Sequence, residues 1–198
     1  MTGELPYGAT PLDEEETEGL LLAHVSTRGE LDELEEANIQ VGLEWARGRA
    51  LRAGGAVDVL TEDFLYELHR KMFDAVWDWA GEVRRTGTNI GVDTTAIRSE
   101  VRKLIDDARY WRDTGVHEAD ELAVRFHHRL VAIHPFPNGN GRHARMMADL
   151  IALQAGRPPF SWGGRSLTET SELRRAYIAA LRAADDGDLE PLIAFSRT

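Results

Sequence analysis

Apolar residues recur at helical spacing in six stretches of the chain, and this recurrence predicts its architecture. Leu31, Leu34, Val41 and Trp45 mark a helix from about Leu31 to Trp45. Phe64, Leu65, Leu68 and Met72 mark a second, with Thr61 placed to cap it. Ile97, Val101, Leu104, Ile105 and Ala108 mark a third, and Leu122, Phe126, Leu130 and Ile133 a fourth. Met146, Met147, Leu150 and Ile151 mark a fifth, which Gly156 and the following Arg-Pro-Pro should end. Leu173, Tyr177, Leu181 and Ala184 mark the last. In one segment the period changes to two: Ile90 and Val92 alternate with Asn89, Gly91 and Asp93, the mark of a strand or hairpin. Residues 1 to about 25 are rich in Pro, Gly and acids with little periodicity, and predict an arm. Residues 52–58 read as a loop. The expected fold is mainly α, a helical bundle with one small β-hairpin.

Composition narrows the chemistry. The 198 residues suit one domain of ordinary size, and 42% hydrophobic content is enough for a core. A net charge of −11 argues against nonspecific binding to nucleic acid, although a local basic pocket can still hold a small anion. The chain has no cysteine, so disulfides and thiolate metal sites are excluded. The acidic start lacks the features of a secretion signal, and no stretch is apolar enough to span a bilayer. The expectation is a cytoplasmic protein with no membrane partner.

The stretch HPFPNGNGRHAR, residues 134–145, concentrates the candidate chemistry. Pro135 disfavours helical geometry at His134, so the imidazole should sit at a helix end. Phe136 is an apolar anchor for the loop. Gly139 and Gly141 allow backbone N–H groups to turn inward as an anion nest, and the positive end of the next helix faces the same point. Arg142 and Arg145, three apart, share one face of the first turn, where guanidinium forks suit phosphate oxygens. A Gly-rich helix start alone can be merely a tight turn. The convergence of a base, an amide, a nest and arginines instead describes a phosphate pocket with a base at its lip.

This segment resembles the signature of Fic-domain proteins, which have a histidine and phenylalanine, then an acid, Gly-Asn-Gly-Arg and a second arginine. The resemblance extends through WAGEVR, residues 79–84, and covers roughly residues 60–160. Within that family it is similar to the mobile mystery protein B group. It implies an N-terminal arm and helix over 1–50, a candidate inhibitory segment, and a catalytic domain over 51–198. The implied reaction is transfer of AMP from ATP to a protein Ser, Thr or Tyr hydroxyl. His134 would take the proton, near neutral pH. Asn140 and the loop amides would hold the α-phosphate, and Arg142 and Arg145 the outer phosphates. Residues Thr88, Asn89, Ile90, Gly91 and Val92 would form a flap that pairs with an extended target segment. A mobile-element setting with a co-encoded partner protein is also implied.

The chain departs from the signature at Asn138, where the family usually has a carboxylate that holds Mg²⁺. An amide oxygen is a weaker ligand for so hard an ion, which predicts weak binding of Mg²⁺ or Mn²⁺. A different phosphate-linked donor, or a silent binding pocket, are the alternatives that Asn138 raises. The family also carries an inhibitory helix with Ser or Thr four residues before a glutamate. Ser26 and Glu30 have this spacing, so Glu30 is a candidate partner of Arg145. Thr27 and Glu30 equally form a capping box for the first helix. His127 and His128 point to different sides of a helix and are read as packing or surface residues rather than zinc ligands. Trp77 and Trp79 read as supports, and the acidic run 13–18 as solvated.

Overall fold

A computed structural model of the chain describes residues 18–52, 57–164 and 172–198. Among them run seven helices: α1 Arg28–Ala50, α2 Glu62–Phe73, α3 Ile97–Thr114, α4 Ala119–Ile133, α5 Asn140–Gln154, α6 Glu172–Asp185 and α7 Glu190–Ser196. Local chemistry sets their ends. The Thr27 hydroxyl accepts from the Glu30 N–H while the Glu30 carboxylate accepts from the Thr27 N–H, a closed capping box at α1. Thr61 accepts from the Phe64 N–H and starts α2.

α4 and α5, joined by the loop 134–139, pack on each other in the bundle. Phe126, Leu130, Met147, Ala148 and Leu150 meet there with essentially no exposure, and Phe136, from the loop between the two helices, is equally buried. Burying such side chains is worth roughly 1.5–3 kcal/mol each, so the α4–loop–α5 unit is among the best anchored parts of the chain. α1 lies along α2, where Asn38 donates to the Lys71 carbonyl and accepts from the Ala75 N–H. The His127 ring is buried beside Tyr177, whose Oη lies 2.9 Å from its Nε2, and this joins α6 to α4.

Three expectations need correction. The buried stripe of α1 is Leu31, Glu35, Asn38, Ile39, Gly42 and Ala46, and Val41 is 59% exposed. The helix packs partly through polar contacts that an apolar pattern does not register. α7 was not expected, because seven residues hold too few turns for a period to show. The hairpin near 86–95 is not formed: residues 86–92 are an irregular loop, and the antiparallel bridge between Leu20 and Trp77 lies elsewhere in the chain.

That bridge also pins part of the expected arm. The Leu21 N–H donates to the Val76 carbonyl, and the Asp78 N–H to the Gly19 carbonyl. The rest of the arm, most of the acidic run 13–18 and part of the 52–58 loop lie outside the described residues. No helix among the described residues is long and apolar enough to cross a membrane.

Candidate active site

His134 closes α4 in the left-handed region, at φ 54° and ψ 62°. A side chain rarely adopts this conformation, and Pro135 blocks the alternative of one more helical turn. The ring emerges at the lip of an open cleft of about 2120 Å³, more than a nucleotide needs. Nδ1 is buried, so Nε2 is the nitrogen that can face the cleft. Burial pushes the His134 pKa below the ordinary 6.5, the Val131 carbonyl raises it, and the nearby Arg84 charge lowers it again. The ring is therefore neutral at pH 7 and able to accept a proton.

The loop beyond His134 is held from both sides. Gly139 has φ 75°, and a Cβ there would fall 2.4 Å from the Phe73 ring, so only glycine fits. Its N–H donates 2.6 Å to Asn138 Oδ1. The Asn140 side chain closes the loop on itself: Oδ1 accepts from the Phe136 N–H at 2.9 Å and Nδ2 donates to the Phe136 carbonyl at 2.8 Å. The side chain is buried in the loop, and only the Asn140 backbone N–H remains for an anion. Gly141 is likewise an ordinary helical residue whose conformation any side chain can adopt.

No side chain caps α5 and no acid stands in its first turn. Its first N–H groups thus keep their positive field toward the cleft, beside Arg142 and Arg145. Both arginines are partly engaged. Arg142 pairs with Glu35 at 2.5 Å and lies over the Phe73 ring. Arg145 lies over the Tyr177 ring. Asn138 offers a metal ion little: its amide oxygen already takes the Gly139 N–H, and the described residues hold no group of three His, Cys, Asp or Glu that suits an ion. The chain's own residues fit a resident Mg²⁺ poorly.

The structure takes Glu30 away from this site. Its carboxylate accepts from the Ser26 and Thr27 N–H groups at the start of α1, which holds its pKa down. The acid that does reach the motif is Glu35. It is buried, and it also accepts from Trp77 Nε1 at 2.7 Å. Thr88, Asn89, Ile90 and Gly91 are exposed beside the cleft, and Val92 is half-buried. His128 lines another edge, 2.7 Å from Asp185.

Sequence reading missed His69. It is fully buried in α2 and stacks on Phe136 with 3.6 Å between ring centres. Its Nδ1 accepts from the Gly81 N–H at 3.0 Å, so Nε2 carries the proton and donates to the Asn138 carbonyl at 3.1 Å. A histidine within the apolar stripe Leu65, Leu68 and Met72 was the available signal. Glu35 offered a similar one, a carboxylate one turn after Leu31 on the buried face of α1.

A Fic/DOC family model matches residues 59–152. Protein adenylyltransferase fic-1 of Caenorhabditis elegans is 32% identical over 142 residues, which are 70% of this chain and 27% of that protein. The chain thus spans about a quarter of the length of the curated relatives it matches. A solved fragment of Fic-1 from C. elegans superposes with a TM-score of 0.65 at 25% identity, covering 95% of this chain and 55% of that one. A Fic-domain signaling protein from Bacteroides thetaiotaomicron gives 0.67 at 24%, covering 93% and 75%. The loop with its uncapped helix and paired arginines therefore lies inside a recognised domain, through which this chain belongs to the Fic/DOC family.

Proposed function

We propose that the chain is a nucleotidyltransferase that moves AMP from ATP to a protein hydroxyl. One arrangement carries the reading: a neutral histidine at the lip of a cleft whose floor is an uncapped helix N-terminus with Arg142 and Arg145. The C. elegans relative's name, protein adenylyltransferase, points the same way.

In this reaction His134 Nε2 removes the proton from a Ser, Thr or Tyr hydroxyl as its oxygen attacks the α-phosphorus. The bond from that phosphorus to the bridging oxygen breaks, and pyrophosphate leaves. Charge grows on the leaving oxygens, which the α5 amides face and which the two guanidiniums would meet once Arg142 leaves Glu35. The exposed loop 88–91 offers backbone to an extended target segment. A divalent ion, Mg²⁺ or Mn²⁺, would screen the phosphates and come mainly with the nucleotide, since Asn138 holds it weakly. Glu35 acts as a counter-ion that the incoming phosphates must displace from Arg142. A co-encoded partner protein belongs to the same proposal.

Asn138 and the occupied Arg142 favour one second reading, a pocket that binds nucleotide, or another phosphate-linked donor, without this transfer. Intact mass spectrometry after incubation with ATP and Mg²⁺ or Mn²⁺ separates the two, using wild type, Glu35→Gln and His134→Ala. An AMP adduct on wild type or Glu35→Gln that His134→Ala abolishes supports transfer. Nucleotide binding with no adduct, even with candidate protein targets present, supports the silent pocket.

A further inference from the structure

Three successive carbonyls around the proposed base are each taken by the segment 84–92. The Val92 N–H donates to the Ile133 carbonyl at 3.3 Å, Arg84 Nε to the His134 carbonyl at 2.6 Å, and the Arg84 N–H to the Pro135 carbonyl at 2.9 Å. One residue, Arg84, supplies two of these three donors.

The rest of the Arg84 fork turns the other way. Nη1 donates to the Thr86 carbonyl at 2.9 Å and Nη2 to the Val92 carbonyl. These carbonyls stand at the two ends of the exposed loop, so the guanidinium closes the loop where a hairpin would use strand pairing. Arg84 is only 3% exposed, and its guanidinium donates to the His134, Thr86 and Val92 carbonyls. A buried cation that donates to several backbone carbonyls needs donors that diverge in a plane, which guanidinium has and ammonium lacks.

Packing makes the junction tight. Gly91 has φ 111°, and a Cβ there would stand 2.7 Å from Arg84 Nη2 and 2.8 Å from His134 Cβ. Loop, guanidinium and histidine thus meet without slack. Strained left-handed residues persist where their surroundings over-determine them, and His134 is held at its N–H by the Leu130 carbonyl and at its own carbonyl by Arg84.

We infer that Arg84 is the positioning residue of this site, locking His134 in its left-handed conformation and fixing the target-facing loop to the same point. The inference rests on the reading of His134 as the base. It predicts that base and loop move as one unit, so losing the fork should misplace the proton acceptor while the α5 phosphate site stays intact.

The test compares full-length wild type, Arg84→Ala and Arg84→Lys, with and without millimolar guanidinium. Nucleotide dissociation constants, kcat and KM, and the imidazole NMR signals of His134 would be read for each. Arg84→Ala should lose kcat on the order of 100-fold, with nucleotide affinity within about threefold. Its His134 signals should shift, and added guanidinium should restore both the signals and at least about tenfold of the rate. Arg84→Lys should resemble Arg84→Ala without guanidinium. Wild-type kcat in Arg84→Lys would overturn the inference. So would guanidinium that raises the melting temperature but moves neither kcat nor the His134 signals, because Arg84 would then be only a packing residue. If wild type transfers nothing, the reading of His134 as base fails separately. The His134 signals still decide whether Arg84 positions that ring: shifted and rescued supports it, unmoved rejects it.

Discussion

Arg142 Nη1 stands 2.5 Å from Glu35 Oε2, so the first arginine of the phosphate loop has a carboxylate partner supplied by α1. The same carboxylate receives Trp77 Nε1–H, and Trp77 stacks on Trp79 with 5.0 Å between ring centres. The contact thus couples α1 and the 77–79 turn to the cleft electrostatics.

Glu35→Gln should bind nucleotide more tightly, by roughly three- to tenfold, because the amide still accepts from Trp77 while the competing charge disappears. Glu35→Ala should instead lose about 1–3 kcal/mol of stability, since it leaves a buried indole N–H unpaired. Titration calorimetry with ATP, beside urea unfolding, reads both. Weaker binding by the Gln variant would mean that Glu35 orients Arg142 rather than competes for it.

His69→Phe should keep the ring stack on Phe136 but leave the Gly81 N–H and the Asn138 carbonyl without their partner. The expected cost is about 2–5 kcal/mol in urea unfolding, with a loss of nucleotide affinity as the 138–139 turn loosens. Retained stability and affinity together would show that the turn is held by Gly139 and Asn140 alone.

How far the sequence disclosed this arrangement follows from what periodicity records. Apolar spacing located α2 to α6 because each buries an apolar face, and the 134–145 motif stood out because its residue types converge within one loop. Glu35, His69 and Arg84 did not emerge, because each works through partners 42 to 107, 69 and 50 residues away. A single sequence does not show which distant donor meets which acceptor. Of the two readings that Glu30 allowed, partner of Arg145 or capping box, the capping box is the one formed, and the Asn140 side chain likewise satisfies backbone groups nearby. Alternation at Ile90 and Val92 suggested pairing because the pattern does not reveal that a guanidinium takes the carbonyls at both ends of the loop.

Asn138→Asp should make transfer more dependent on Mg²⁺, with kcat rising about tenfold or more at saturating metal, because a carboxylate is the harder and stronger ligand. The substituted oxygen must also release the Gly139 N–H that Asn138 Oδ1 now holds, or share it. Metal titrations of the adduct rate with wild type and variant read the effect. Equal metal dependence in the two would remove position 138 from the metal question.

Stability should fall as the solution is acidified from pH 6 to pH 5. His127 and His143 are buried and neutral with pKa values lowered to about 3, and burial lowers His69 well below 6.5 as well. The unfolded chain protonates all three near 6.5 while the folded chain does not, so their contribution is complete above that pH and declines below it. Asp149 works in the opposite direction. Burial raises its pKa to about 6, so the folded chain takes up a proton between about 4 and 6 that the unfolded chain does not. The lowered histidines outweigh the one raised aspartate, so the net effect between pH 6 and pH 5 is a loss of stability. Urea unfolding at pH 7, 6 and 5 would show this slope, and Asp149→Asn should steepen it. A flat profile would mean that these rings gain protons in the folded state through local opening.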